Sequence, residues 1–287
     1  MFVHRKNLLA GVVRLSRYSE YYGSIIFCTG LGLAVSQTKR PLLIAGILIA
    51  NLLAVSFSFA FNDIMDADED ALDSAKAARN PVSASLISAG IANLVSIAAA
   101  VSSLTVYAFL GLKPFIFGVA TIIVAFLYSW RVTRLKSRPI VDILAHSLHL
   151  GPFQVLAAIY LGSVVNSSLT LRLAFFVFLL SALAALNNEI RDYDIDRRTK
   201  LRNTLSILNL YRLGSIVQYL WLVPVILIIL SLIDHIESIG QGLIVCTIIL
   251  AVIIYALSPP TRRREIFFYR YSQILGTIFG FIFILFS

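Results

Sequence analysis

The sequence predicts an all-α, polytopic membrane protein, and three observations carry that prediction. Of 287 residues, 59% are hydrophobic and only 14% are charged, where soluble domains carry roughly a quarter charged residues. Apolar runs long enough to cross lipid, about 20 residues each, recur to the end of the chain. Short polar stretches separate them, so residues 1–287 read as one membrane domain.

Nine candidate spans fall at about 21–37, 41–62, 83–108, 114–129, 140–165, 169–188, 207–233, 239–258 and 269–286. Ahead of them, residues 1–20 carry Arg5, Lys6, Arg14 and Arg17 among apolar neighbours. That stretch is too interrupted for a signal peptide. It is expected to form an amphipathic helix lying on the membrane surface. Cys28 and Cys246 sit in apolar runs without metal-ligand spacing and read as buried hydrophobes.

Nine spans place successive loops on alternate sides. Of the 24 Lys and Arg residues, 20 then fall on the N-terminal side, and only Lys39, Arg40, Lys113 and Arg172 fall on the other. Basic residues gather in cytoplasmic loops. The N-terminus is therefore expected in the cytoplasm and the C-terminus outside. The net charge of +9 reads as sorting across a membrane, not as affinity for nucleic acid.

Nine of the fifteen acidic residues lie in two clusters, each at the cytoplasmic end of an even-numbered span, and Asp73 follows the first. The first begins Asn62-Asp63-Ile64-Met65-Asp66 and runs to Asp70; the second begins Asn188-Glu189-Ile190-Arg191-Asp192 and runs to Asp196. They align without a gap at an offset of 126 positions, and a basic patch follows each: Lys76 and Arg79-Asn80-Pro81, then Lys200 and Arg202-Asn203-Thr204. Span 2 thus resembles span 6, which predicts two structural halves with span 9 left over.

The spacing has chemical content. Residues at i, i+4 and i+8 form one helical stripe, so Asn62, Asp66 and Asp70 share a face, as do Asn188, Asp192 and Asp196. Carboxylates this close repel unless a cation lies between them. Mg²⁺ takes hard oxygen ligands, usually one or two carboxylates, with water and phosphate oxygens completing the octahedron. Two such stripes with basic residues beside them suit a metal-bridged diphosphate. A lone acidic helix end is often a solvated face; two gap-free copies with basic followers argue otherwise. Asp68, Glu69 and Asp194 lie off the stripe and are expected in solvent. Asp73 is ambiguous, and Glu189 stands where the first copy has Asp63.

On these residues the chain resembles the UbiA superfamily of membrane prenyltransferases. Asn62, Asp63, Asp66 and Asp70 match its NDxxDxxxD motif, and Asp192 and Asp196 match its DxxxD motif. Tyr128-Ser129, followed by Arg131, Arg134 and Lys136, matches its basic loop after span 4. The chain departs where Asn80 separates Arg79 from Pro81, and where no Gly precedes Arg202-Asn203-Thr204.

The resemblance implies nine transmembrane helices around a central cavity. It implies Mg²⁺-dependent (or Mn²⁺-dependent) transfer of a prenyl group from an allylic prenyl diphosphate to a lipophilic, aromatic acceptor. It assigns metal binding to Asn62, Asp63, Asp66, Asp70, Asn188, Asp192 and Asp196, the four aspartates at 66, 70, 192 and 196 being catalytic. It assigns diphosphate binding to Lys76, Arg79, Lys136 and Arg202. Tyr128 is either a cation-stabilising ring or an interfacial anchor. His146 and His149 are expected in hydrogen-bonded packing, without a zinc site. No obligate protein partner is expected beyond the bilayer. Two alternatives stay open. A membrane terpene cyclase needs the same metal site. A transporter or channel needs acidic residues along a path through the membrane, and both clusters lie on one side.

Overall fold

Pro41 starts the helix that organises the molecule, because a proline's missing N–H falls there among donors that have no intrahelical partner anyway. The computed structural model describes residues 2–162, 166–198, 202–208, 223, 226 and 262–285. In chain order their helices are α1 (Phe2–Ser16), α2 (Tyr22–Ser36), α3 (Pro41–Asp70), α4 (Ser74–Arg79), α5 (Ala89–Leu110) and α6 (Leu112–Ser129). Then come α7 (Val141–Leu150), α8 (Pro152–Ile159), α9 (Ser167–Arg198), α10 (Thr204–Leu208) and α11 (Arg262–Leu285). No strand occurs among the described residues.

At about 1.5 Å per residue, the 30 residues of α3 run about 45 Å, and a hydrocarbon core is about 30 Å thick. The apolar part of α3 therefore spans lipid, and its acidic last turns continue beyond. The 32-residue α9 repeats this design. Among the described residues, four helices are long and apolar enough to cross a membrane: α3, α5, α6 and residues 167–190 of α9. Two shorter apolar helices, α2 and Gln273–Leu285 of α11, coincide with the first and last expected spans. The expected spans at 207–233 and 239–258 lie almost wholly outside the described residues.

The expected span at 140–165 is corrected: it is two helices, broken at Gly151-Pro152. Proline removes a helical hydrogen bond and clashes with the carbonyl four residues back. Carbonyls freed in an apolar interior need new donors. Gln154, fully buried, supplies one, giving its Nε2–H to the His149 carbonyl at 3.0 Å.

The helices meet closely. A Cβ added to Gly30 of α2 would lie 2.3 Å from the Gly280 carbonyl of α11, and one added to Gly280 would lie 2.5 Å from the Ile26 carbonyl. Backbone therefore rests on backbone, the contact that small residues permit in membranes. Gln273 of α11 also accepts from the N–H groups of Gly23 and Ser24, at 2.8 and 3.2 Å, satisfying the start of α2.

Leu33, Ile47, Ala50, Tyr107 and Ala157 form a cluster that joins α2, α3, α5 and α8. Inside it, Tyr107 donates to Asn51 Oδ1, and Asn51 donates to Thr29 Oγ1 at 2.7 Å and to the Gln154 carbonyl at 3.2 Å. Burying such polar groups unpaired would be costly. At the N-terminus, α1 packs Leu15 against α3 and α5 and leaves Leu9 and Val13 exposed.

Candidate active site

The acidic ends of α3 and α9 line one cavity of about 200 Å³. From α3 come Asn62, Asp66, Glu69 and Asp70; from α9 come Asn188, Glu189 and Asp192. The expected helical stripes are thus brought together as far as Asp192. The side chain of Asp196 lies outside the described residues.

Each carboxylate of the first cluster has its own partner. Lys136 donates to both oxygens of Asp66, and to Asn62 Oδ1 at 3.0 Å. Ser129 Oγ donates to the same Asn62 oxygen at 3.1 Å. Asn80 Nδ2 donates to Asp70 at 2.9 Å and to the Asp63 carbonyl at 2.8 Å. Asp63 itself is 2% exposed. It does not line the cavity but meets Arg17 at 3.0 Å. Asp68 is in solvent as expected, its side chain 81% exposed and paired with Arg131 at 2.6 Å. Asp73 caps α4, accepting from Ala75 and Lys76 N–H groups at 3.0 Å.

Glu69 differs from expectation: it lines the cavity, because Arg134 reaches in from the α6–α7 loop and pairs with it. Burial works against the Arg134 charge, but Glu69 and Asp66 outweigh it, and its pKa is raised above the usual arginine value.

The basic lining is Arg17, Lys76, Arg79, Arg134 and Lys136. Arg202, expected at the diphosphate, is exposed and does not line the cavity; its neighbour Asn203, 3% exposed, does. Sequence reasoning also missed Arg17. Its guanidinium grips Glu20 and Asp63 and lies 5.0 Å from the Phe59 ring centre.

Tyr128, His146 and His149 form the apolar-side wall with Phe59 and Leu150. The Tyr128 ring lies 6.0 Å from His146 and 5.7 Å from His149. His149 Nδ1 is 2.6 Å from the Ala145 carbonyl, so it carries the proton there, and Nε2 accepts from Ser58 Oγ at 3.0 Å. His149 is therefore packed as expected. Buried His146 Nδ1 has no hydrogen-bond partner.

Two loops close the site. Thr204, at the start of α10, gives its N–H to Asp142 at 2.5 Å and its hydroxyl to the same carboxylate. Its oxygen accepts from Ile140 N–H at 2.6 Å. Ile140 has φ +71°, an unfavourable backbone for a β-branched residue, and that bond holds it. The loop that carries Arg134 and Lys136 is so joined to the loop that carries Asn203.

The donor set consists of carboxylate and amide oxygens, which suits a small hard dication. Among the described residues no three His, Cys, Asp or Glu converge on one point. Each helix could give one ion one or two carboxylates, with amide, water and ligand oxygens completing its shell.

Fold and site together define a polytopic helical membrane protein with a mixed-charge cavity at one end of its bundle. The chain belongs to the UbiA prenyltransferase family, whose model matches residues 24–282. No curated protein matches it by sequence. Among solved structures it is similar to a UbiA homologue from Archaeoglobus fulgidus bound to GPP and Mg²⁺, with a TM-score of 0.76 and 22% identity, over 96% of this chain and 99% of the other. It is similar to a digeranylgeranylglyceryl phosphate synthase, with a TM-score of 0.66 and 17% identity, over 97% and 98%. A UbiA homologue from Aeropyrum pernix K1 gives 0.70 and 16%, over 91% and 95%. At these identities the likeness is one of fold.

Proposed function

We propose that this protein transfers a prenyl group from an allylic prenyl diphosphate to a lipophilic, aromatic acceptor, with Mg²⁺ as cofactor. One observation carries the reading: Asp66 and Asp70 of α3 and Asp192 of α9 line a single cavity with Lys76, Arg79 and Lys136. The oxygen donor set supports the metal, and the GPP and Mg²⁺ bound to the A. fulgidus relative support the substrate class.

In this reading Asp66, Asp70 and Asn62 hold one ion, and Asp192, Asn188 and Asp196 hold the other. Asp63, expected as a ligand, instead anchors Arg17. Lys76, Arg79 and Lys136, joined by Arg134, hold the diphosphate oxygens, where charge-assisted hydrogen bonds are strong. Bound Mg²⁺ supplies neutralisation of the departing diphosphate. The allylic C–O bond breaks with its electron pair going to the diphosphate. The Tyr128 ring face stabilises the allylic cation. An electron pair of the acceptor ring then forms the new C–C bond, and loss of the ring proton restores aromaticity.

The reading extends to nine spans in two halves, with the N-terminus and the cavity on the cytoplasmic side. The shared lining positions of Asn62 with Asn188 and Asp66 with Asp192 support the two halves. The test is a purified-protein assay of prenyl diphosphates of several lengths against a panel of acceptors. Prenylated acceptor and diphosphate are expected with Mg²⁺ and not with a chelator. Absence of diphosphate release from every prenyl diphosphate contradicts the reading. A cyclised product formed without acceptor replaces transfer by cyclisation at the same site.

A further inference from the structure

Asn62 and Asp66 stand one helical turn apart on α3, and their oxygens converge on one cation already present, the Lys136 ammonium. Lys136 is 8% exposed and the Asp66 side chain 16%, so the pair is largely shielded from water. Arg134 stands 3.8 Å from the same carboxylate. Mg²⁺ binds oxygen at about 2.1 Å, using the lone pairs that the ammonium now engages. Ammonium and dication cannot both hold Asp66 at such distances without strong repulsion.

We propose that Lys136 makes the site selective for the metal–diphosphate complex over the free cation. This rests on the diphosphate reading above and goes beyond it. A free dication must displace Lys136 from Asp66 and leave the ammonium to compete with Lys76, Arg79 and Arg134 for the remaining carboxylates of the same cavity. A diphosphate arriving with the metal gives Lys136 new anionic oxygens when it releases Asp66. The exchange needs only side-chain rotation, for which lysine's flexible four-carbon stem is suited. The backbone around it is fixed, since Arg134 Nε donates to Ser137 Oγ at 3.1 Å and Ile140 N–H to Thr204 at 2.6 Å. Metal and diphosphate then raise one another's affinity by the same factor, because coupling between ligands is reciprocal.

The test measures Mn²⁺ affinity by electron paramagnetic resonance, on the full-length protein in nanodiscs, with and without geranyl S-thiolodiphosphate. In the unsubstituted protein Mn²⁺ is expected to bind about tenfold or more tightly with the analogue. Lys136→Met is expected to bind Mn²⁺ about tenfold more tightly than the unsubstituted protein in the absence of the analogue. A gain of this kind does not arise from misfolding, and Lys136→Gln carries the same readout if the Met variant does not fold. Lys136→Arg, which keeps the charge, is expected to retain the dependence on diphosphate. Equal Mn²⁺ affinity with and without the analogue, or neutral variants that bind Mn²⁺ no more tightly, overturns the inference alone. Failure of the analogue to bind at all, with or without Mn²⁺, overturns the proposed function with it.

Discussion

Thr204 gives both its backbone N–H and its hydroxyl to Asp142, a carboxylate 2% exposed. Hydrogen bonds to a buried charge contribute about 1.5–3 kcal/mol each. Thr204→Val keeps the shape, removes the hydroxyl and leaves Ile140 N–H without its acceptor. We expect a loss of about 2–4 kcal/mol in stability, read by thermal unfolding in detergent, with Thr204→Ser restoring most of it.

Asn80 links two parts of the first acidic cluster by donating to both Asp70 and the Asp63 carbonyl. It also accepts from Val82 N–H at 3.0 Å, shaping the turn after α4. Asn80→Ala is expected to cost about 1–3 kcal/mol of stability and to weaken binding of Mn²⁺ with a diphosphate analogue. An unchanged affinity would show that Asp70 does not depend on this bond for its position.

Gly30 tests the helix pairing of α2 and α11. A leucine there forces its Cβ within 2.3 Å of the Gly280 carbonyl. Overpacking costs typically about 1–3 kcal/mol, and more where backbone itself must move. Gly30→Leu is expected to lower the unfolding temperature and the yield, while Gly90→Ala, with open space around it, leaves both near their starting values.

The topology is tested by cysteine labelling in a background without Cys28 and Cys246. Leu72 is 82% exposed just beyond α3, and Leu112 is 74% exposed at the start of α6. In sealed, right-side-out vesicles an impermeant reagent is expected to label Leu112→Cys and to spare Leu72→Cys. The reverse result would invert the proposed orientation.

What could be read from the sequence was local and periodic. Run length gave α3, α5, α6 and α9, and the i, i+4 spacing put Asn62 with Asp66 and Asn188 with Asp192 in the cavity. The break at Gly151-Pro152 also had its signal, since a proline inside a helical run ends it. What escaped depends on long-range contacts. Arg17 finds Asp63 across 46 residues from a backbone at φ +47°, and Glu69 is drawn in by Arg134 across 65 residues. Asn80 and Asn203 had a fainter signal: each follows an arginine in the basic patch after its cluster, and both are buried. In the second half the asparagine, not Arg202, lines the site.

The central claim is that α3 and α9 act on one diphosphate. The most direct measurement is the affinity of geranyl S-thiolodiphosphate in Mg²⁺ for the unsubstituted protein and for Asp66→Ala, Asp192→Ala, the double variant and Asp68→Ala. Removing one partner from a buried charge pair costs binding about 2–5 kcal/mol, so each single variant in the cavity is expected to lose about a hundredfold. Residues acting as a unit are strongly non-additive, so the double variant is expected to bind scarcely worse than either single one. Asp68→Ala, outside the cavity, is expected to bind as the unsubstituted protein does. Losses that multiply in the double variant, or an Asp192→Ala protein with unchanged affinity, would contradict a shared site.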